Sequence, residues 1–296
     1  MCLRSKWNKR SDPARQPIET FLEETFIMTA LPFALNHMTA PNLPLDAFFE
    51  LAKSLGISAV EIRNDLAGNA ILDGTKPEAV KTLAEKHGLK IISINALQRF
   101  NEWNAARDAE ARDLIAYARD CGAQALVLVP VNDGSGQADG ERQANLRTAL
   151  EALKPLLDEA GIIGLVEPLG FKICSLRSKS EAAEAVREIG GSTFRLVHDT
   201  FHHHLAGEDA FFPELTGLVH ISGVADDAVA VADMRDPHRV LVDAADRLDN
   251  AGQIRRLRAE GYEGTFSFEP FAPSVHGLSD PAEAVRESMT YLQAQA

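Results

Sequence analysis

Residues 33–64 read FALNHMTAPNLPLDAFFELAKSLGISAVEIRN. Two short apolar runs, Phe33–Met38 and Ala59–Asn64, flank a segment that opens after Pro44 and repeats Phe48, Phe49, Leu51, Ala52 and Leu55 at helical spacing. Strand, helix, strand is the unit from which parallel sheets are wound. The turn leaving the first strand, Thr39–Leu43, contains no glycine, so it is not the phosphate loop of an open, doubly wound sheet.

The same unit recurs to the end of the chain. Further strand candidates are Lys90–Ala96, Ala125–Val131, Ile163–Leu169, Phe194–Thr200, Leu218–Val224 and Thr265–Phe271, which makes eight, mostly 24 to 38 residues apart with one longer gap before the last. Lys76–His87 opens on Lys-Pro and stops at Gly88, and Ala106–Asp120 stops at Gly122. Leu146, Leu150, Leu153 and Leu157 form one stripe of a fourth helix despite Pro155, which is placed to kink it. Ser180–Ile189 ends in Gly190-Gly191, Asn250–Glu260 ends in Gly261, and Asp280–Gln293 closes the chain. Glycines that stop helices just before strands are the expected punctuation of such repeats. Eight repeats predict an α/β fold, a single-domain (β/α)8 TIM barrel over residues 29–296.

Residues 1–28 carry five Lys or Arg before position 16 but no apolar run after them, a poor match to a secretory signal. They are read as a flexible N-terminal extension, with Met28 a candidate start. The 296 residues hold 30 basic and 43 acidic side chains, a net charge of −13 that repels phosphate backbones and disfavours broad nucleic-acid binding. Cys2, Cys121 and Cys174 are too few and scattered for a disulfide framework and suggest a reducing, cytoplasmic setting. No apolar stretch reaches the roughly 18 residues of a membrane span. Asp133-Gly-Ser-Gly-Gln137 reads as a turn, since it lacks the Lys-Ser/Thr of a phosphate loop. Assembly into a homo-oligomer stays open.

Chemistry gathers on four consecutive strands. They carry Glu167 in Gly164-Leu-Val-Glu-Pro-Leu169, Asp199 in Arg195-Leu-Val-His-Asp-Thr-Phe-His202-His-His204, His220 in Leu218-Val-His-Ile-Ser222, and Glu269 in Thr265-Phe-Ser-Phe-Glu-Pro-Phe271. Taken singly, each glutamate fits a solvated rim and His220 fits a hydrogen-bonded core. Four at similar depth on successive strands is a much rarer coincidence, and a barrel brings their C-terminal ends around one mouth. Three facing carboxylates repel one another unless a divalent cation neutralises them. Three carboxylates and one imidazole suit one Mn2+, Co2+ or Zn2+, and the lack of thiolates argues against a structural zinc. His198 has the opposite strand parity to Asp199 and should face the strand–helix layer, while His203 should lie on the outside of the turn. Arg63 and Asn64 read first as a rim salt bridge. Trp103, with Phe100 and Asn101 in the loop after strand three, is a candidate cover for a sugar ring, although packing on a neighbour explains that loop equally well.

These residues also carry a resemblance. Val60-Glu-Ile-Arg63, Ile94-Asn-Ala-Leu97 with Phe100-Asn101, Leu128-Val-Pro130, the Glu167 strand, Asp199-Thr-Phe-His202-His-His204 with Ala206-Gly207, Val219-His-Ile221, His238-Arg-Val240 and Ser267-Phe-Glu269 with Phe271 and Pro273 span nearly the whole chain after the tail. The chain resembles the xylose-isomerase-like TIM-barrel superfamily of sugar isomerases and epimerases, most closely inosose (2-keto-myo-inositol) isomerases of inositol catabolism. The resemblance implies that Glu167, Asp199, His220 and Glu269 bind the metal and that Glu167 and Glu269 also move protons. It implies that His202 and Arg239 hold substrate, with His204 a weaker candidate. The family often has a Pro-Gly stretch after the arginine. Here Val240-Leu-Val-Asp-Ala-Ala-Asp-Arg-Leu-Asp249 follows instead, which leaves the substrate side of the seventh loop open.

The implied chemistry is isomerisation of a small polyhydroxy ketone through an enediolate, with an inosose first. The same site could serve a ketose 3-epimerase, a hydroxypyruvate isomerase or an inosose dehydratase. The superfamily's abasic-site endonucleases need further histidines on early strands, where only His37 occurs. Outside enzymes, a sugar- or cyclitol-binding barrel is the alternative, and the intact Glu167 and Glu269 pair speaks against it.

Overall fold

The computed structural model describes Met1 and residues 30–68, 71 and 73–296; the expected extension over residues 1–28 otherwise lies outside them. Leu31–Ala296 forms one compact unit. Eight strands close into a parallel barrel in sequence order: β1 (Phe33–Asn36), β2 (Ala59–Arg63), β3 (Lys90–Gln98), β4 (Ala125–Val129), β5 (Ile163–Val166), β6 (Phe194–Asp199), β7 (Thr216–Ile221) and β8 (Phe266–Phe268). Phe33 pairs with Phe266 and Leu35 with Phe268 to complete the circle. The predicted TIM barrel is the observed fold.

Around it run α1 (Leu45–Ser54), α2 (Pro77–His87), α3 (Ala105–Cys121), α4 (Glu141–Ala160), α5 (Lys179–Ile189), α6 (Thr200–Ala206), α7 (Asn250–Ala259), α8 (Pro273–His276) and α9 (Pro281–Gln295). Gly88 and Gly122 stop α2 and α3 at φ of 71° and 79°, backbone that a side chain disfavours. Helix α4 continues through Pro155. The predicted strand Phe194–Thr200 ends one residue early, because Asp199 closes β6 by capping α6, its Oδ1 accepting from the His202 amide at 3.0 Å.

Two cores follow from strand parity. Outward residues such as Val60, Ile62, Leu126, Phe194, Val219 and Phe268 are buried against the helices. Each large side chain removed from water there contributes roughly 1.5–3 kcal/mol. Inward residues Ala96, Ala125, Val127, Leu165, Val197 and Leu218 form a smaller cluster that plugs the barrel. Two residues further along their strands, on the same inward face, come Glu167 after Leu165, Asp199 after Val197 and His220 after Leu218. The plug is the floor on which the polar layer stands.

Candidate functional site

One ligand atom each from Glu167, Asp199, His220 and Glu269 lies within 4.8 Å of all the others, and all four residues are buried. Register explains the convergence. Asp199 pairs with His220 across β6 and β7, His220 pairs with Ser267 across β7 and β8, and Glu167 and Glu269 directly follow β5 and β8. His220 Nδ1 stands 2.8 Å from Glu167 Oε1, 3.2 Å from Glu269 Oε2 and 4.0 Å from Asp199 Oδ2.

The other imidazole nitrogen faces a fifth acid. His220 Nε2 lies 3.1 Å from Glu61 Oε2. Glu61 also accepts from Ser93 Oγ at 2.5 Å, Asn95 Nδ2 at 2.8 Å and Ser267 Oγ at 2.5 Å. Burial alone would raise its pKa, but the His220 charge and these donors hold it down at about 2. Glu61 thus orients the ring with Nδ1 toward the carboxylate cluster.

Two arginines clamp the opposite side. Arg239 Nη2 donates to Asp199 Oδ2 at 2.7 Å and to Glu269 Oε2 at 2.9 Å, and its Nε donates to Ser222 Oγ at 2.9 Å. Its guanidinium lies over Phe271, 4.5 Å from the ring centroid. The chain fixes Arg239 through the antiparallel Gly223–Val240 bridge and through its carbonyl, which accepts from Phe271 and Ala272 amides. Arg63 Nη1 donates to Glu269 Oε1 at 2.7 Å and to Asn36 Oδ1 at 3.2 Å, while Nε and Nη2 meet Asp65. The rim reading of Arg63 is therefore corrected: the side chain is 5% exposed and reaches inward as well as to the rim.

Charge balance tests the fit of a metal. The buried set holds four carboxylates, Glu61, Glu167, Asp199 and Glu269, against Arg63 and Arg239. With neutral imidazoles the remainder is two negative charges, the complement of one divalent cation. Without that cation, burial and the neighbouring Glu167 push Glu269 up to about 7, even though His220 and Arg239 oppose the shift. Burial works against a charged His220, yet Glu269, Glu61 and Glu167 outweigh it and raise the imidazole well above its ordinary value. Asp199, which burial would raise, is kept at about 2 chiefly by Arg239. The donor set fits the group.

A cavity of about 340 Å3 opens above the cluster, lined by Glu167, Glu269, His202, Arg63 and Arg239 among others. His202 is 4% exposed and packs edge-on against Phe171 and Phe201. Burial lowers its pKa, so it is neutral, and its Nδ1 is shielded without a partner among the described residues. The wall behind it is closely packed: a Cβ on Gly170 would lie 2.2 Å from the His202 carbonyl oxygen.

Other candidates fall elsewhere. His204 is half-buried beside the charges of Asp246 and Asp249, and it does not line the cavity. Trp103 packs partly buried on the main core; Phe100 is fully buried, and Asn101 bonds Val131 N and Ser175 Oγ, so this loop rests on its neighbours. His198 faces the strand–helix layer, between Lys179 Nζ at 2.7 Å and Gln253 Oε1 at 2.8 Å. His203 was expected outside the turn and is instead buried, 3.0 Å from Lys179 Nζ and against Phe211, because α6 turns it back toward α5. Cys121 and Cys174 are free and buried. Among the described residues no helix is long and apolar enough to cross a membrane.

Sequence reasoning assigned no role to Glu61, Asn36 or Ser222. The signal for Glu61 was its alternation with Val60 and Ile62, an acid on the inward face of an otherwise apolar strand.

Comparison with known proteins places this geometry. The family model for the xylose isomerase-like TIM barrel matches residues 49–295. An inosose isomerase of Halalkalibacterium halodurans is 25% identical, over 81% of this chain and 88% of the relative; one of Bacillus velezensis is 23% identical with the same coverage. A xylose isomerase domain containing protein from Salmonella typhimurium LT2 superposes with a TM-score of 0.79 at 35% identity, covering 89% of this chain and 95% of the other. The IolI protein, crystallised with a zinc atom, has a TM-score of 0.79 at 20% identity, covering 89% and 98%.

Proposed function

The chain belongs to the xylose isomerase-like TIM-barrel family, and we propose that it is a metal-dependent isomerase of a small polyhydroxy ketone, an inosose first. The observation that carries this reading is the convergence of three carboxylates and one imidazole within 4.8 Å at the floor of a ring-sized cavity. The inosose isomerase relatives and the zinc of IolI support the substrate class and the cofactor. Glu167, Asp199, His220 and Glu269 would hold one Mn2+, Co2+ or Zn2+. The bound ion supplies Lewis acidity toward the ketone and hydroxyl oxygens, where negative charge develops.

The rest falls to the protein. Glu167 and Glu269 end strands on either side of β6 and β7, so they reach a seated ring from two directions. One carboxylate removes the proton from the carbinol carbon next to the ketone and a carboxylate delivers it to the former carbonyl carbon, while the hydroxyl proton passes to the former ketone oxygen. His202 and Arg239 line the cavity, where their side chains are placed to hold a substrate oxygen.

Solvent-deuterium exchange tests the reading. With metal-loaded protein in D2O, label should enter the carbon next to the inosose ketone, with appearance of the isomeric ketone by NMR. Glu269→Gln should slow exchange by about 10^2-fold or more. Full turnover in that variant would remove the proton-transfer role. Inversion at the labelled carbon without ketone movement would reassign the site to an epimerase.

A further inference from the structure

The mouth continues sideways. A second cavity of about 440 Å3 adjoins the first, and Asn132, Phe171 and Asp236 line both. A cavity of about 150 Å3 already holds a benzene-sized ring, so a single polyol ring needs only the first. The second has a distinct character. Ile173 and Val231, which line it, are 52% and 42% exposed, apolar surface left facing solvent beside a polar site.

Its charge is equally distinct. Lys172, Arg177 and Arg235 line it against one carboxylate, Asp236, which lies 3.5 Å from Arg239 Nη1, in a chain of net charge −13. Arg177 and Arg235 donate to backbone carbonyls, Gly170 and Leu205 for one, Ala232 and Met234 for the other. None of the three has a carboxylate at ion-pair distance among the described residues. At the junction stands Asn132, whose Oδ1 is shielded from solvent and has no partner among the described residues.

Resting on the isomerase reading, we propose that this cavity is a second subsite that takes an apolar, negatively charged substituent carried by the polyhydroxy ketone. The ring would sit over Glu167 and Glu269. The substituent would pass Asn132, lie on Phe171, Ile173 and Val231, and present its charge to Lys172, Arg177 and Arg235. Continuity of the two cavities favours a larger substrate over a separate ligand, and the unpaired cations favour an anion over a neutral group.

The test compares the methyl and 4-carboxyphenyl glycosides of one keto-hexose in the α-proton exchange assay. It uses the metal-loaded protein and the double variant Lys172→Glu/Ile173→Asp, whose substituted side chains are exposed. The carboxyphenyl compound should have a kcat/KM about tenfold higher or more, mainly through KM, given the area a buried ring removes from water. The double variant should abolish that advantage and leave the methyl compound unchanged. Equal kcat/KM for both compounds, or an advantage that survives in the variant, overturns the subsite. Titration calorimetry with the corresponding non-ketone methyl and 4-carboxyphenyl glucosides reads binding without turnover. If no ketone exchanges while the carboxyphenyl glucoside still binds at least tenfold tighter, the reaction falls and the subsite stands. A dimer that forms through this face, dissociates in the double variant and shows no carboxyphenyl preference would assign the surface to a second copy and overturn the proposal.

Discussion

Glu61→Gln isolates one charge at the bottom of the site. Among the described residues Glu61 Oε1 meets only Ser267 Oγ, whereas Oε2 receives Ser93 Oγ, Asn95 Nδ2 and His220 Nε2. A glutamine amide nitrogen fits the Oε1 position, because the Ser267 hydroxyl can turn to accept. The carbonyl then keeps the three bonds at Oε2. What disappears is the charge behind them, and hydrogen bonds to an ionised acceptor are about twice as strong as neutral ones. The imidazole loses the support that holds Nδ1 toward the cluster, and loss of such an outer partner lowers metal affinity by about 10–100-fold. His220 also becomes easier to deprotonate. That gain offsets only part of the loss, since a divalent ion feels Glu61 twice as strongly as the proton it displaces. Zinc titration of metal-free protein, alongside urea unfolding to exclude a general fold defect, measures the effect. Affinity within twofold of the unsubstituted protein, with the fold intact, would show that the Glu61 contact does not govern the His220 ligand.

Two further outcomes follow from the packing. Gly170→Ala places a Cβ 2.2 Å from the His202 carbonyl and 2.6 Å from Leu205 Cβ, so the backbone must shift. It should lower stability by about 1–3 kcal/mol in urea unfolding, and an unchanged midpoint would contradict the close packing of that wall. Lys179 is buried between His198 and His203, and burial lowers its pKa from 10.5 to about 7. Between those values the unfolded chain binds the extra proton, so its contribution to stability rises with pH, by up to about 1.4 kcal/mol per unit. The difference in unfolding free energy between the protein and Lys179→Met should grow from pH 7 to pH 9. A flat or falling difference would mean that Lys179 stays charged in the fold.

The strands were legible because parallel barrels bury both strand faces, which leaves apolar runs such as Ala125–Val129 and Ile163–Val166. Their ends were not. Pro270 follows Glu269 and lacks the amide that would extend the ladder, so β8 is three residues long where the apolar run suggested seven. Helix α6 was hidden because a run of three histidines has no apolar period, and its cap doubles as a strand end. The inward acids at strand ends were readable from position, and Glu61 and Arg63 share the inward parity of β2. Their roles depend on a partner more than 150 residues away, as in the Glu61–His220 contact. Arg239 sits in an irregular loop where periodicity is silent, and only the resemblance pointed to it. The Lys179, His198 and His203 cluster joins three elements that no spacing rule connects.

The segment linking β7 to α7 holds its arginine at a few backbone points, the Gly223–Val240 bridge and the carbonyl shared by Phe271 and Ala272. Between that bridge's two ends, Val231, Ala232 and Arg235 face the neighbouring cavity and make no bond to the acid cluster. On the proposed function and subsite, such an arrangement separates what is transformed from what is admitted. Selection can rewrite the outer half of the segment, and with it the range of molecules accepted, while the reacting machinery keeps its alignment.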